Sequence, residues 1–319
     1  MSTPKQVWAE IKKHKSFLIT THLNPDADAA CSALAMAMVL KKMGKKTVVV
    51  NEDQLPAWLT FLPQAKSFHK KTDIKQPVFD AVIMLDCGDL ERIGGVSKWI
   101  EGKRIINIDH HITNDSCGSV NLILPKASST CEILFDLFKT SQVKMNKDLA
   151  LLLYAGIMTD TGSFRYDNTS AKTHKIASEI MGFGLSASDL YHRLYVGIPS
   201  EDIKGFVDVI HSAELLFKNT VYCVLLPKKV MDAFSKGFDL KEKIFGFLRS
   251  VEGVEVVVIL SEMNRHQTRA NFRSQRHFDV AKLASLFNGG GHIKASGAKL
   301  DVGLDESKKK ILAVIKRSL

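Results

Sequence analysis

The sequence predicts an α/β protein, with a doubly wound, mostly parallel sheet followed by a second, smaller α/β domain. Two observations carry this prediction. Through the first half of the chain, short apolar runs without polar alternation, typical of strands buried on both faces, alternate with longer runs of helical spacing. Beyond residue 215, a second set of strand-like runs leads into a helix and a glycine-rich segment.

The first domain is predicted to alternate strands with helices, as in a parallel sheet whose crossover connections are helical. Strands are predicted at 17–20 (FLIT), 47–50 (TVVV), 81–85 (AVIML) and 104–108 (RIINI). Helices are predicted at 29–44, which Gly44 ends, at 128–140, which has Ser/Thr capping options at its start, and at 147–158.

The second domain is predicted to begin after a mixed helical and charged stretch. Its strands are expected at 221–227, 254–260 and 268–274, followed by a helix at 279–288 and the glycine-rich segment GGGHIKASG at 289–297. We therefore expect a first domain at 1–190, a helical connector at 191–215 and a second domain at 216–319. The sequence contains no evident internal repeat.

Composition narrows the class of protein. The chain has 319 residues, of which 45% are hydrophobic and 24% charged, and this suits a globular protein of two domains. It has no run of 18 apolar residues, and its polar, basic N-terminus is unlike a signal peptide, so we expect no membrane association. Five scattered cysteines without a CxxC spacing argue against disulfides and a structural zinc site, and favour the cytoplasm.

Positive charge is concentrated in the last third of the chain. The formal net charge is +10, and residues 215–319 contain 19 Lys and Arg against 10 Asp and Glu. Basic surface of this kind attracts phosphates and nucleic acid, although part of it, on the predicted last helix, is expected to be a solvated lysine face.

Ionisable residues follow the predicted strands at the ends where the chain leaves the sheet. The candidate residues are His22, Asp26, Asp28, Asp86, Asp109, His110, His111 and Asp160, of which only Asp160 follows a predicted helix. Open parallel sheets bind ligands at the carboxyl ends of their strands, so neighbouring strands would bring these side chains together. A single aspartate at a strand end is more often a helix cap or turn former, but capping does not readily explain four such segments.

The candidate residues predict two divalent cations. Five aspartates in one crevice would repel one another, and bound cations would remove that conflict. The set is too large for one ion. Asp26 and Asp28, two residues apart in an extended loop, would serve different ions, and Asp86 is placed to bridge them. Histidine and carboxylate ligands without cysteine favour Mn²⁺, with Mg²⁺ or Co²⁺ as alternatives. Ions ~4 Å apart would clamp a bridging hydroxide and polarise a phosphorus atom for in-line attack.

In order and spacing, four segments resemble the motifs of the DHH phosphoesterase superfamily: His22-x-x-Pro25-Asp26-x-Asp28, Leu85-Asp86, Asp109-His110-His111 and Thr159-Asp160-Thr161-Gly162. A fifth segment, Asn288-Gly289-Gly290-Gly291-His292, looks like the signature of the DHHA1 domain found in one branch of that superfamily. The chain length and the GGGH element are similar to the nano-RNase/pAp phosphatase group, which includes cytoplasmic pApA phosphodiesterases.

The resemblance implies a hydrolase that is a two-metal phosphodiesterase or exonuclease. Its expected substrates are short oligoribonucleotides and pApA-type dinucleotides, cleaved to 5′-mononucleotides, with 3′-phosphatase activity on pAp. The ligands implied for one ion are His22, Asp26 and Asp86. Those implied for the other are Asp28, Asp86, His110 and Asp160. The catalytic roles implied are for Asp109, which would orient His110 by accepting its second ring N–H, and for His111, which would face the scissile phosphate or leaving oxygen.

The second domain offers candidate substrate-binding residues. Arg269 and Arg273 are four apart in a predicted strand and therefore share a face, and arginine can bind phosphate oxygens bidentately. Gly289, Gly290 and Gly291 are predicted to form a glycine-rich turn whose backbone N–H groups can approach an anion closely, and His292 adds a donor. Without the family resemblance, a structural glycine turn and a solvated arginine face would be the simpler interpretation. With it, we expect a pocket for a terminal phosphate of a dinucleotide-sized substrate.

Two other functions compete with this interpretation. The first is an inorganic pyrophosphatase or exopolyphosphatase of the same superfamily, although those enzymes carry a different second domain and the GGGH element argues against them. The second is a non-catalytic nucleotide-binding or RNA-binding module, which the basic last third allows but which has no need of the full ligand set. A homodimer is compatible with the sequence but not indicated by it.

Overall fold

The computed structural model describes residues 2–195, 197–235 and 238–318. It divides into two compact units, Met1–Gly197 and Ile198–Leu319, each with its own sheet. The predicted connector at 191–215 includes residue 196, which lies outside the described residues, and otherwise covers the end of one helix, all of the next and the start of a strand.

The first unit is built on a six-stranded sheet. Its strands are β1 (Ser16–Thr20), β2 (Lys46–Asn51), β3 (Phe68–Lys70), β4 (Ala81–Leu85), β5 (Arg104–Asp109) and β6 (Val120–Ile123). The strand order is β3-β2-β1-β4-β5-β6 and every neighbouring pair is parallel. Both faces are covered, because Phe17 and Ile19 of β1 enter one apolar cluster and Leu18 between them enters another.

The helices of the first unit begin at polar caps that the sequence supplies. They are α1 (Pro4–Lys13), α2 (Ala27–Lys42), α3 (Ser97–Ile100), α4 (Thr130–Thr140), α5 (Lys147–Asp160), α6 (Ala171–Met181) and α7 (Ala187–Tyr195). Thr3 and Gln6 form a capping box at α1, and the side chains of Ser129 and Asn146 accept backbone N–H groups at the starts of α4 and α5.

The direction of winding changes between β1 and β4. From β1 the chain runs outward through β2 and β3, then returns to β4 on the other side of β1. This is a topological switch point, where the crossover connections on either side diverge and leave a crevice at the carboxyl ends of the strands. The residues that follow β1, β4 and β5 therefore border one crevice, as predicted for a doubly wound sheet.

The second unit has a mixed sheet. Its strands are β7 (Glu214–Leu216), β8 (Val221–Leu226), β9 (Val256–Asn264), β10 (Gln267–Ser274), β11 (Gly290–His292) and β12 (Ala295–Leu300), in the order β11-β12-β10-β9-β8-β7. Only the β8–β9 pair is parallel. Its helices are α8 (Ile203–His211), α9 (Lys228–Met231), α10 (Leu240–Leu248), α11 (Val280–Ser285) and α12 (Leu304–Ser318).

The predicted fold class is confirmed, with differences in detail. β3, β6 and β7 are three or four residues long, and runs this short carry no periodicity that marks them as strands. The segment Gly290–His292, expected as part of a glycine-rich turn, is instead a short edge strand. Among the described residues, no helix combines the length and the apolar character that crossing a bilayer requires.

Candidate active site

His22 lies just beyond β1 and its backbone is held by a neighbouring strand end. The side chain of Asn51, the last residue of β2, accepts the backbone N–H of Thr21 at 3.2 Å and donates to the carbonyl of His22 at 2.9 Å. His22 Nδ1 lies 2.8 Å from the carbonyl oxygen of Leu23, so Nε2 is the nitrogen turned toward the carboxylates. It lies 3.5 Å from Asp86 Oδ2 and 3.8 Å from Asp26 Oδ2.

Asp26 and Asp28 belong to the start of a helix and not to the extended loop predicted. Asp26 is the N-cap of α2, and its Oδ1 accepts the backbone N–H of Ala29 at 3.0 Å. Its side chain is 56% exposed, whereas Asp28, in the first turn, is 1% exposed. The two carboxylates face different neighbours, since Asp26 lies near His22 and Asp28 contacts the backbone of Thr130.

The Asp28 carboxylate is held by the start of α4. Its Oδ2 accepts the backbone N–H of Thr130 at 2.7 Å and its Oδ1 accepts that of Cys131 at 3.0 Å. Burial raises the pKa of the Asp28 carboxyl well above its ordinary value, and the charges of Asp86 and Asp160 add to the effect. A bound cation would favour the ionised form of this buried group.

Asp86 occupies the first position after β4, where its backbone is left-handed with φ 54°. The side chain is 3% exposed and faces two histidines with different oxygens. Oδ2 lies 3.5 Å from His22 Nε2, and Oδ1 lies 3.5 Å from His110 Nε2. Burial opposes the charged form, yet the hydrogen bond with His22 and the charges of His111 and His110 hold the pKa of Asp86 well below its ordinary value.

His110 brings Asp160 into the same group. Its Nδ1 donates to the carbonyl of Ala127 at 3.2 Å, and its Nε2 lies 3.3 Å from Asp160 Oδ2 at the end of α5. Burial would lower the pKa of His110, but the charges of Asp86 and Asp28 outweigh it, so the pKa is raised. Protonation of the His110 ring therefore depends on whether its carboxylate neighbours are charged.

Asp109 orients His111, and the prediction that it orients the His110 ring is wrong. Asp109 Oδ1 accepts His111 Nδ1–H at 2.7 Å, while the His110 ring donates to Ala127 instead. The bond from Asp109 to His110 is with the backbone N–H, at 2.8 Å. Asn114 Nδ2 donates to the second oxygen of Asp109 at 2.6 Å. Burial opposes ionisation of Asp109, but its hydrogen bond with His111 keeps its pKa below the ordinary value.

These side chains form three groups suited to a metal ion, two of which share Asp86. In each group, one ligand atom from every residue lies within 4.8 Å of the others. The groups are His22, Asp26 and Asp86; Asp28, His110 and Asp160; and Asp86, Asp109 and His111. Imidazole and carboxylate ligands fit a hard or borderline divalent cation.

In the second unit, the two predicted arginines share a face of β10. Residues 267–274 alternate between partly exposed and buried, and Arg269, Asn271 and Arg273 all lie on the partly exposed face. Arg273 forms an ion pair with Glu242 at 2.5 Å. Burial, and then the charge of Arg269, lower the pKa of Lys241, so a further cation that sequence reasoning missed lies near this face.

The glycine-rich segment lies in the same sheet as the arginines. Gly290 of β11 pairs with Gly297 of β12, which pairs in turn with Asn271 of β10. Gly291 has φ +139°, and a Cβ atom there would lie 2.7 Å from Ser296 Cα. This glycine is therefore required for the close approach of β11 to β12, whatever its role toward a ligand.

Comparison with known proteins assigns the chain to a family. The model of the DHH family N-terminal domain matches residues 16–157, and that of the DHHA1 domain matches residues 239–319. A "bifunctional oligoribonuclease and PAP phosphatase NrnA" from Thermus thermophilus is 30% identical over 302 residues, which cover 94% of this chain and 89% of that protein. The chain belongs to the DHH/DHHA1 phosphoesterase family.

Two further comparisons agree with this membership. The protein of the same name from Bacillus subtilis is 28% identical, over 91% of this chain and 91% of its own length. The crystal structure of an exopolyphosphatase-related protein from Bacteroides fragilis has a TM-score of 0.87 at 24% identity, over 98% of this chain and 95% of that one. At that identity the structural likeness establishes the fold alone. Membership of this phosphoesterase family makes the chain a hydrolase.

Sequence reasoning missed the residues of this DHH unit that hold the candidate ligands in place. Asn51, Asn114, Thr130 and Asn168 each make a hydrogen bond to a candidate residue or to its backbone. Asn114 and Asn168 lie only five and eight residues after the candidate residues that they contact. The others come from other strands, helices or loops, and no spacing in the sequence marks them.

Proposed function

We propose that this chain is a metal-dependent phosphodiesterase that cleaves short oligoribonucleotides and linear dinucleotides such as pApA to 5′-mononucleotides, and that it removes the 3′-phosphate of pAp. The observation that carries the proposal is the position of the Asp86 carboxylate. Its two oxygens face His22 and His110, each at 3.5 Å, so one buried group can join two cation sites. The substrate class follows the printed names of the NrnA relatives.

Two divalent ions fit the described side chains. We assign one to His22, Asp26 and Asp86. We assign the other to Asp28, Asp86, His110 and Asp160. When bound, such ions supply Lewis-acid chemistry by neutralising phosphate charge and polarising the phosphorus centre. Mn²⁺ suits this mixture of imidazole and carboxylate ligands, with Mg²⁺ or Co²⁺ as alternatives.

His111 is proposed to act on the leaving oxygen. The buried Asp109 carboxylate accepts Nδ1–H, which fixes the ring and its tautomer and leaves Nε2 as the nitrogen that can contact substrate. A ring held in this way can stabilise a proton at Nε2 and deliver it to the departing 3′-oxygen. Asp109 is then a positioning residue, and Asn114 holds it by donating to its other oxygen.

The second unit is proposed to bind the phosphate of the substrate. The residues assigned to this role are Arg269, Arg273, Gly289, Gly290, Gly291 and His292. Arg269 and Arg273 lie on one face of β10 and Lys241 adds charge near it, an arrangement that attracts an anion. Arg273 is held on this face by its ion pair with Glu242.

A substrate panel tests the proposal on the purified full chain. pApA, pAp, 5′-phosphorylated short oligoribonucleotides, long RNA, cyclic di-AMP and pyrophosphate would each be incubated with Mn²⁺ and with a chelator. We expect Mn²⁺-dependent release of 5′-AMP from pApA and of phosphate from pAp. Faster turnover of long RNA than of pApA, or phosphate release from pyrophosphate alone, would contradict the proposed substrate class. A chain that takes up no divalent metal would contradict the mechanism.

A further inference from the structure

Residues 127–131, which comprise the end of the β6–α4 loop and the first residues of α4, contact candidate ligands of one metal site. The carbonyl of Ala127 accepts His110 Nδ1–H at 3.2 Å. The backbone N–H groups of Thr130 and Cys131 bind the two oxygens of Asp28 at 2.7 and 3.0 Å. All three of these groups belong to the main chain, so their positions depend on how the segment itself is held.

Asn168 joins the same segment to the last ligand of this site. Its Nδ2 donates to the carbonyl of Ser128 at 2.9 Å and to the backbone carbonyl of Asp160 at 3.1 Å. The amide therefore ties the end of α5, which carries Asp160, to residues 127–131. The segment then touches, directly or through Asn168, every residue assigned to the second ion.

The buried carboxylate of Glu132 holds this segment in place. Glu132 is 1% exposed and its Oε2 accepts from Ser128 Oγ at 2.7 Å and Thr173 Oγ1 at 2.8 Å. Its Oε1 lies 3.2 Å from Lys172 Nζ. These bonds anchor the start of α4 to α6 without using any candidate ligand.

The hydroxyl of Thr130 has no part in capping α4. The cap is made by Ser129, whose side chain accepts the backbone N–H of Glu132 at 3.0 Å. Thr130 Oγ1 instead donates to Asp86 Oδ1 at 3.0 Å. Both residues are buried, and the bond fixes which Asp86 oxygen faces His110 and which faces His22.

We propose that residues 127–131 form a rigid template for the site of Asp28, Asp86, His110 and Asp160, and that Thr130 is the positioning residue that orients the shared Asp86 carboxylate. This inference rests on the proposed metal-dependent function. It goes further in assigning the geometry of one site to a segment outside the sequence motifs. The template makes that site well ordered before an ion binds, because its ligands are already held by hydrogen bonds.

The test compares Thr130→Val, Thr130→Ser and the matched control Thr268→Val in Mn²⁺ titrations of the full chain, followed by calorimetry. Thr268 is equally buried, in the second unit, and its hydroxyl donates to Val302 at 2.8 Å. We expect Thr130→Val to weaken Mn²⁺ binding by about 10- to 100-fold, as loss of a ligand-orienting partner does in other metal sites. Thr130→Ser should restore most of the affinity, and Thr268→Val should bind Mn²⁺ like the wild type.

Unfolding measurements separate this role from a purely structural one. If Thr130 only supports the fold, Thr130→Val should lower the melting temperature equally in chelator and in Mn²⁺, with unchanged Mn²⁺ affinity, and the inference is overturned. If it positions Asp86, the stabilisation gained from Mn²⁺ should shrink. Should Thr130→Val fail to fold, Asn168→Ala takes its place, and wild-type Mn²⁺ affinity in that variant overturns the template. A wild-type chain that binds no Mn²⁺ would instead refute the proposed function.

Discussion

Two buried carboxylate groups in the first unit are neutralised in different ways. The Glu10 side chain on α1 is 6% exposed and pairs with Lys13 at 2.8 Å, Arg104 at 3.1 Å and His14 at 3.3 Å. The ion pairs of Asp86, 3% exposed, are with three histidine rings at 3.5 to 3.7 Å. Glu10 is neutralised by lysine and arginine side chains, which are always charged. Asp86 instead faces histidine rings, which are charged only when protonated.

This difference distinguishes Glu10, an acidic residue that stabilises the fold, from Asp86, a candidate metal ligand. Glu10 is complete as it stands, because lysine and arginine are charged at every physiological pH. Around Asp86, the histidines and carboxylates raise and lower one another's pKa, and Asp28 has a pKa that burial raises well above its ordinary value. A divalent cation relieves this competition where a proton only shifts it from group to group.

Among the substitutions that test this comparison, Asp86→Asn should have the largest effect on pApA hydrolysis and Mn²⁺ binding. We expect the rate of pApA hydrolysis to fall by more than the about 10- to 100-fold typical of residues that only support a ligand. Calorimetric binding of Mn²⁺ should weaken with it, because the shared carboxylate is lost from both sites. Asp189→Asn is the matched control, since Asp189 is 58% exposed and pairs only with Arg193 among the described ion pairs. Unchanged Mn²⁺ affinity in Asp86→Asn would place Asp86 in the same class as Glu10.

Gly156→Ala should have a smaller effect on the site than Asp86→Asn. It reduces the space around Asp28 and changes no charge. Gly156 lies on α5 where a Cβ atom would come within 2.7 Å of Asp28 Oδ1 and 2.9 Å of Cys131 Cβ. We expect a loss of stability of about 1–3 kcal/mol in urea unfolding, as for other overpacked sites, together with weaker Mn²⁺ binding. Gly246→Ala on α10, where a Cβ meets nothing within 4 Å, is the control and should be neutral or stabilising. Equal effects of the two changes would mean that the space around Asp28 is not restricted.

The comparison also shows which features the sequence could predict. β1, β4 and β5 coincide with largely apolar runs of the sequence, and the acidic residues after them were expected at one edge because parallel strands end at the same edge of a sheet. The partners that hold these acids were not predictable in the same way. Thr130 and Asp28 are 102 residues apart, and nothing local to either residue reports their contact.

Two local signals pointed to the wrong structure for a physical reason. Glycine is the usual mark of a turn, but at Gly291 it permits a close approach between β11 and β12, so the predicted turn is a strand. Asp26 and Asp28 were expected in an extended loop, yet Asp26 serves as the N-cap of α2 and the helix begins at the next residue. At Gly291 a contact between two strands decides the structure, whereas at Asp26 a local capping bond to Ala29 does.

Substitution of Glu10 by Gln should have the smallest effect and leave Mn²⁺ binding intact. The hydrogen bond from Lys13, against the opposing effect of burial and with help from Arg104 and His14, lowers the pKa of Glu10 to about 2. Because the folded-state pKa is depressed, Glu10 stabilises the fold above its unfolded pKa of about 4.3, and this stabilisation is lost as the pH falls toward 2. We expect Glu10→Gln to cost about 1 kcal/mol at neutral pH. In urea unfolding at a series of pH values, the difference from the wild type should shrink below pH 4.3, about the unfolded value. A difference that stayed constant down to pH 2 would mean that the cations around Glu10 do not act through its charge, and would remove the contrast with Asp86.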